Sequence, residues 1–257
     1  MRRSLGFATA LGLIVVAAAT ARAEVKTMDI TFKSGDDEVK GFLAEPDGKG
    51  PFPAIVVIQE WWGLTDWIKD NAKHFAEQGY VALAPDLYRG KVTDDPAIAR
   101  QLLGGLPKDR AVRDLKAAVD TLAARDNVQK DRIGSIGWCM GGGYSLHLAL
   151  ADDRVKACAM CYGPPVTKPD MLKSLNATIL GIFGEEDKGI KAADVRMFEQ
   201  ALKTAGKSVE KINIYPGAGH GFMRPSSAAM KNAAYNERAA NDAWQQIDAF
   251  FINTLKQ

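Results

Sequence analysis

The sequence holds little sulfur and little imidazole: three Cys and three His in 257 residues. Three scattered His without clustered ligands make no metal site, and no metal or organic cofactor is expected. Neither sign of charge is in excess. Lys and Arg number 33 against 31 Asp and Glu, a formal +2, and 47% of positions are hydrophobic, which excludes a polybasic nucleic-acid binder and a disordered polymer. Beyond residue 23 there is no apolar run of the roughly 20 residues that a membrane span requires. There is also no repeat, linker or low-complexity tract. A single α/β domain accommodates a chain of this size, since such domains routinely run to about 200–250 residues.

The first 23 residues stand apart. Arg2-Arg3 precedes a charge-free apolar run from Leu5 to Thr20, followed by Ala21-Arg22-Ala23. This reads as a secretory signal cleaved after Ala23, with the domain occupying 24–257 and the mature protein periplasmic or secreted. An uncleaved anchor is the alternative, but the run is rich in Ala, Gly and Thr and ends in a small-x-small site, so no stable membrane insertion is expected after cleavage. The segment carries three Arg and no acid, which takes the formal balance from +2 to −1 from Glu24 onward.

An exported chain meets an oxidising compartment, where paired thiols are usual. Cys158 and Cys161 form a C-x-x-C, yet they lie in an apolar stretch, Val155 to Tyr162, that reads as a buried strand. At i and i+3 on a strand the side chains point to opposite faces about 10 Å apart, beyond disulfide reach. Core thiols are the reading, and Cys139 is left to be explained.

From Met28 the pattern runs strand, strand (Met28–Lys33, Glu38–Ala44), then a continuous apolar strand, Phe52–Gln59, of the kind buried on both faces. Helices are predicted at Asp66–Gln78, Asp109–Ala124, Met140–Ala151, Ala192–Ala205 and Asn236–Leu255. Strands alternate with them at Tyr80–Pro85, Arg132–Trp138, Val155–Tyr162, Thr178–Phe183 and Lys211–Tyr215. Such alternation predicts an α/β fold with a mostly parallel central sheet flanked by helices on both faces. Its chemistry is expected in the loops after the strands' C-terminal ends.

One such loop is Gly137-Trp138-Cys139-Met140-Gly141, where a strand passes into a helix through G-x-C-x-G. This is the nucleophile-elbow pattern with Cys in place of Ser. A nucleophile on so tight a turn forces its neighbours into backbone contact, which glycine permits. The helix that follows aims the positive end of its dipole at the sulfur, and the Met140 amide can meet a developing oxyanion. A buried Cys in a glycine-rich turn is the bland alternative. In α/β-hydrolases the order along the chain is nucleophile, acid, His. His74 and His147 fall on helices and read as ordinary helix-face residues, whereas His220 follows the last predicted strand. Between them, the strand ending at Phe183 runs into Gly184-Glu185-Glu186-Asp187. Asp187 is preferred as the acid because it sits furthest into the loop on a short side chain, with Glu185 and Glu186 solvated. Glu60 ends the buried strand before Trp61-Trp62-Gly63. In this fold the backbone of Trp61 supplies a second oxyanion-hole amide, and Glu60 comes within reach of Cys139.

Together Gln59-Glu60-Trp61-Trp62-Gly63, Ala84-Pro85-Asp86-Leu87-Tyr88-Arg89, Gly137-Trp138-Cys139-Met140-Gly141-Gly142, Gly184-Glu185-Glu186-Asp187 and Gly217-Ala218-Gly219-His220-Gly221-Phe222 resemble the dienelactone hydrolases (carboxymethylenebutenolidases), of α/β-hydrolase fold, over most of the chain. The resemblance implies Cys139 as nucleophile, His220 as base, Asp187 as its orienting acid, and Glu60 as a partner of the resting thiol. It implies that Arg224, four residues after the His, holds a substrate carboxylate by bidentate contact, with Arg89 and Trp138 as further substrate contacts. Two positions depart from the family pattern. Arg89 adjoins Tyr88, where the family's second Arg stands one residue later, and Trp61-Trp62 is bulkier than usual. The expected activity is hydrolysis of small esters or lactones through a thioester, by a chain for which a monomer is the simpler expectation. A general carboxylesterase or thioesterase, a silent binding protein of the same fold, and a redox enzyme using Cys158 and Cys161 are the alternatives.

Overall fold

The computed structural model describes residues 24–228 and 230–257; the signal segment expected at 1–23 lies outside them. Eight strands form one sheet in the order β1-β2-β4-β3-β5-β6-β7-β8. These are β1 (Val25–Ser34), β2 (Asp37–Pro46), β3 (Phe52–Ile58), β4 (Val81–Pro85), β5 (Val128–Trp138), β6 (Val155–Cys161), β7 (Thr178–Gly184) and β8 (Val209–Tyr215). The hairpin β1-β2 joins antiparallel at one edge, and β4 to β8 with β3 run parallel. Helices α1 (Asp66–Glu77), α2 (Pro96–Gly104), α3 (Lys108–Ala123), α4 (Met140–Ala151), α5 (Ala192–Thr204) and α6 (Glu237–Leu255) complete the fold.

Side-chain alternation along β3 explains the two layers. Ala54, Val56 and Ile58 face one apolar cluster, with α3, α4 and α5. Ile55 and Val57 face the other, with α1 and α6. The strand is buried on both sides, which is why its sequence is a continuous apolar run rather than an alternating one. Cys158 belongs to the first cluster and Cys161 to the second; all three cysteines are free. Among the described residues no helix is long and apolar enough to cross a membrane.

Two elements were not foreseen. Helix α2 starts at an Asp95 cap whose carboxylate accepts from the Ala97 amide at 2.7 Å, with Pro96 in the first turn. It is only 9 residues long and buries only Ala99, so its periodic pattern is too short to mark it against the loops on either side. A short 3₁₀ turn occupies Pro169–Leu172.

Candidate active site

The β5–α4 turn is the tightest point of the molecule. Cys139 sits at φ +56°, ψ −120°, a conformation L-residues rarely adopt and one that costs on the order of 1–3 kcal/mol. The surrounding backbone over-determines it. A Cβ on Gly137 would fall on the Gly141 carbonyl, and one on Gly141 would fall on the carbonyls of Ile58 and Gln59. The start of α4 is thereby pressed against the end of β3, and the Glu60-Trp61 loop is held beside the elbow. Cys139 donates its amide to the Cys161 carbonyl at 3.0 Å. Met140 opens α4, and its amide is one of the donors a helix cannot satisfy internally.

His220 arrives from the loop after β8. Asn232 pins this loop by donating its side-chain amide to the carbonyls of Gly221 (2.9 Å) and Arg224 (2.6 Å). The imidazole Nδ1 lies 2.7 Å from Asp187 Oδ2, and its ring packs edge-on against Tyr162 at 5.3 Å. Asp187 Oδ1 accepts from the amides of Gly189 (2.8 Å) and Ile190 (2.9 Å), which leaves Oδ2 for the ring. Burial works against the Asp187 anion, but these hydrogen bonds and His220 lower its pKa on balance. Burial also opposes an imidazolium at His220, and hydrogen bonds to Asp187 and Cys139 overcome it, raising the group to about 10. Glu185 and Glu186 are exposed. The geometry selects Asp187 among the three acids because the loop folds its short side chain inward onto two amides.

Glu60 is 3% exposed. Its Oε2 lies 3.3 Å from Arg224 Nε, so Arg224 is also brought into the site, but against this carboxylate. Burial lifts Glu60 to about 7, with Arg224 and then His220 holding it back. Trp61 is half-buried against the α3/α4 cluster and packs edge-on with Trp62 at 4.8 Å.

Two expected substrate contacts are corrected. Trp138 is fully buried on the opposite layer, 5.1 Å from the Trp67 ring and 5.8 Å from Trp244. Strand alternation sends it into the α1/α6 cluster, where it is closed off from the cavity and from solvent. Arg89 adopts φ +56° and pairs its Nη2 with Asp114 at 2.7 Å, with Asp37 at 3.9 Å. Asp114 is 0% exposed, so Arg89 is a structural cation joining α3 to the β1–β2 hairpin.

Cys139 and His220 open onto a cavity of about 290 Å³. Its walls come from Leu103 of α2, from Met140, Gly143 and Tyr144 of α4, and from Pro164 and Ile190, with Lys108 and His147 the other polar members. His147, read from the sequence as an ordinary helix-face residue, is a wall residue. Its signal was helical spacing, since 140, 143, 144 and 147 share one face of α4. Burial, with Lys108 nearby, lowers its pKa to about 4. Among the described residues no group of three or more His, Cys, Asp or Glu is placed to hold a metal ion.

A thiol at the start of a helix, an imidazole lining the same cavity and a carboxylate bonded to that imidazole are groups of the kinds acyl transfer uses. The family model described as the dienelactone hydrolase family matches residues 39–255. A Synechocystis sp. protein assigned as a carboxymethylenebutenolidase is 33% identical over 253 residues, covering 91% of this chain and 99% of its own. A crystal structure from Klebsiella pneumoniae, assigned as a dienelactone hydrolase, superposes with TM-score 0.79 at 29% identity, over 89% of this chain and 98% of that one. A dienelactone hydrolase-like promiscuous phosphotriesterase from metagenomic libraries shares the fold at TM-score 0.81 and 22% identity, over 90% and 98% of the two chains. The chain belongs to the dienelactone hydrolase family and is a hydrolase of the ester- or lactone-cleaving kind, built on the α/β-hydrolase fold.

Proposed function

We propose that the protein hydrolyses small esters or lactones through Cys139, His220 and Asp187 by way of a thioester. The observation that carries this reading is that Cys139 and His220 line one cavity and that the His220 Nδ1 lies 2.7 Å from Asp187 Oδ2. The Cys139 thiolate attacks the carbonyl carbon, and the amides of Met140 and Trp61 receive the oxyanion. As the tetrahedral species collapses, the C–O bond breaks, the imidazolium of His220 protonates the leaving alkoxide, and the acyl group stays on sulfur. Water then attacks the thioester, giving its proton to His220, and the acid leaves as the thiolate re-forms. Asp187 holds the ring in one tautomer and stabilises its charge. Glu60, poised near neutrality beside Arg224, takes part in moving the proton from the resting thiol when substrate enters. The sequence of the first 23 residues supports action outside the cytoplasm after cleavage behind Ala23.

The test is turnover of cis-dienelactone and of a chromogenic acetate ester by the chain from Glu24 under mild reductant, with Cys139→Ala alongside. Turnover of either substrate that vanishes in the variant is the expected result. Turnover that survives it would reject Cys139 as nucleophile, and no turnover by the parent would leave a silent binding protein. Amino-terminal sequencing of the exported protein should begin at Glu24.

A further inference from the structure

Met140 and His147 both line the cavity from one face of α4, about 10 Å apart along the helix axis. The cavity therefore runs away from Cys139 along this face, and its far half is polar. Lys108, Tyr144 and His147 stand there, and the proposed chemistry uses none of them. The Tyr144 and His147 rings meet edge-on at 6.1 Å. Among the described residues none hydrogen-bonds to the Tyr144 hydroxyl, to either ring nitrogen of His147 or to the Lys108 ammonium. At the near end, by contrast, His220 is bonded to Asp187.

Three unpaired groups that can all donate, one of them a cation, suit an acceptor with several lone pairs. The first turn of α3 adds to the positive bias. Lys108 opens that helix, Arg110 stands two residues on, and the Pro107 cap leaves the leading amides without a side-chain acceptor. Helix stability disfavours cations at this end, so their presence there calls for another use. Arg110 donates to the Leu87 carbonyl at 3.3 Å and keeps a buried Nε without a partner, close enough to Tyr144 to oppose the effect of burial on its hydroxyl.

We infer that Lys108, Tyr144 and His147 form a distal recognition subsite for a carboxylate at the far end of the acyl chain. The preferred substrates are then long half-esters of dicarboxylic acids, whose chains cross the apolar stretch between Leu103 and Ile190 before the terminal oxyanion reaches the donors. An extended acyl chain of roughly eight carbons spans the two helical turns involved. The inference rests on the hydrolase reading above and narrows its substrate class.

Two matched pairs of esters test it: mono-p-nitrophenyl suberate against p-nitrophenyl octanoate, and mono-p-nitrophenyl succinate against p-nitrophenyl butyrate. Within a pair the acyl chains have the same number of carbons and differ by a terminal carboxylate. The acid-to-neutral ratio of kcat/KM should be higher for the long pair than for the short one by roughly tenfold, the scale of one hydrogen bond to a charged group. Lys108→Met, at an exposed position, should lower the long-pair ratio severalfold and leave the short-pair ratio in place, and Tyr144→Phe and His147→Leu should act in the same sense. Both esters of a pair are read on one preparation, so a poorly folding variant lowers both rates and the ratio still reports recognition. A ratio no higher for the long pair would overturn the inference while leaving the hydrolase intact. A long-pair ratio unmoved in all three variants would overturn it as well, since the carboxylate would then be met elsewhere. Turnover of none of the four esters nor of the substrates above would remove the hydrolase reading and this inference with it.

Discussion

Glu60 is the residue whose environment departs furthest from its chemistry. A carboxylate at 3% exposure would ordinarily be expelled or neutralised; here Arg224 and His220 hold it at about 7 instead. Below that pH it carries a proton and cannot accept one, and above it the carboxylate is available to the thiol. In the proposed mechanism His220 keeps its proton for the leaving group until about pH 10. The expected kcat/KM profile for a neutral ester therefore rises through an inflection near 7 and falls near 10. In Glu60→Gln the acid limb should disappear while the alkaline limb stays. A profile unchanged in that variant would assign the lower inflection to another group.

At the scale of elements, the β5–α4 junction shows how glycines are spent. Gly137 and Gly141 are present because a methyl group at either would collide with main chain rather than with a flexible side chain, and main chain in a parallel sheet cannot step aside. Gly137→Ala should lower the free energy of unfolding by about 3 kcal/mol or more, read from urea titration with an unchanged m-value. This junction was legible in the sequence, since glycines flanking a lone Cys between an apolar strand and a helix have few other uses. The helices that pack on the sheet were legible too, most through an apolar stripe and α4 through being apolar all round. Helix α2 was not, because its burial amounts to Ala99 and its only mark was the Asp95-Pro96 start. Arg89 and Trp138 were misplaced for a related reason. A motif gives the position of a residue along the chain, whereas the left-handed backbone at Arg89 and the strand face of Trp138 decide where each side chain goes. Asp114, the buried partner that claims Arg89, carried no signal beyond being an acid on an amphipathic helix.

The molecule as a whole treats its three thiols unequally. Cys139 is partly accessible, while Cys158 and Cys161 lie at 0% exposure on a central strand. Burial pushes Cys158 up to about 11 and Cys161 well above the ordinary thiol range. Neither can meet a reagent until β6 leaves the middle of the sheet, which requires global unfolding. An aromatic disulfide reagent should therefore titrate one thiol in the native protein and three in denaturant. Fast native reaction of two or more would revive the redox alternative.

Helix α2 binds weakly to the body that it borders, yet it contributes Leu103 to the cavity. Cys139 and the loops that carry Asp187 and His220, by contrast, follow directly on β5, β7 and β8 of the sheet. Chemistry and diet are thus written on separable stretches of chain. Exchanging residues 91–105 for the matching stretch of a relative would retool what the enzyme accepts while leaving the machinery that cleaves it in place.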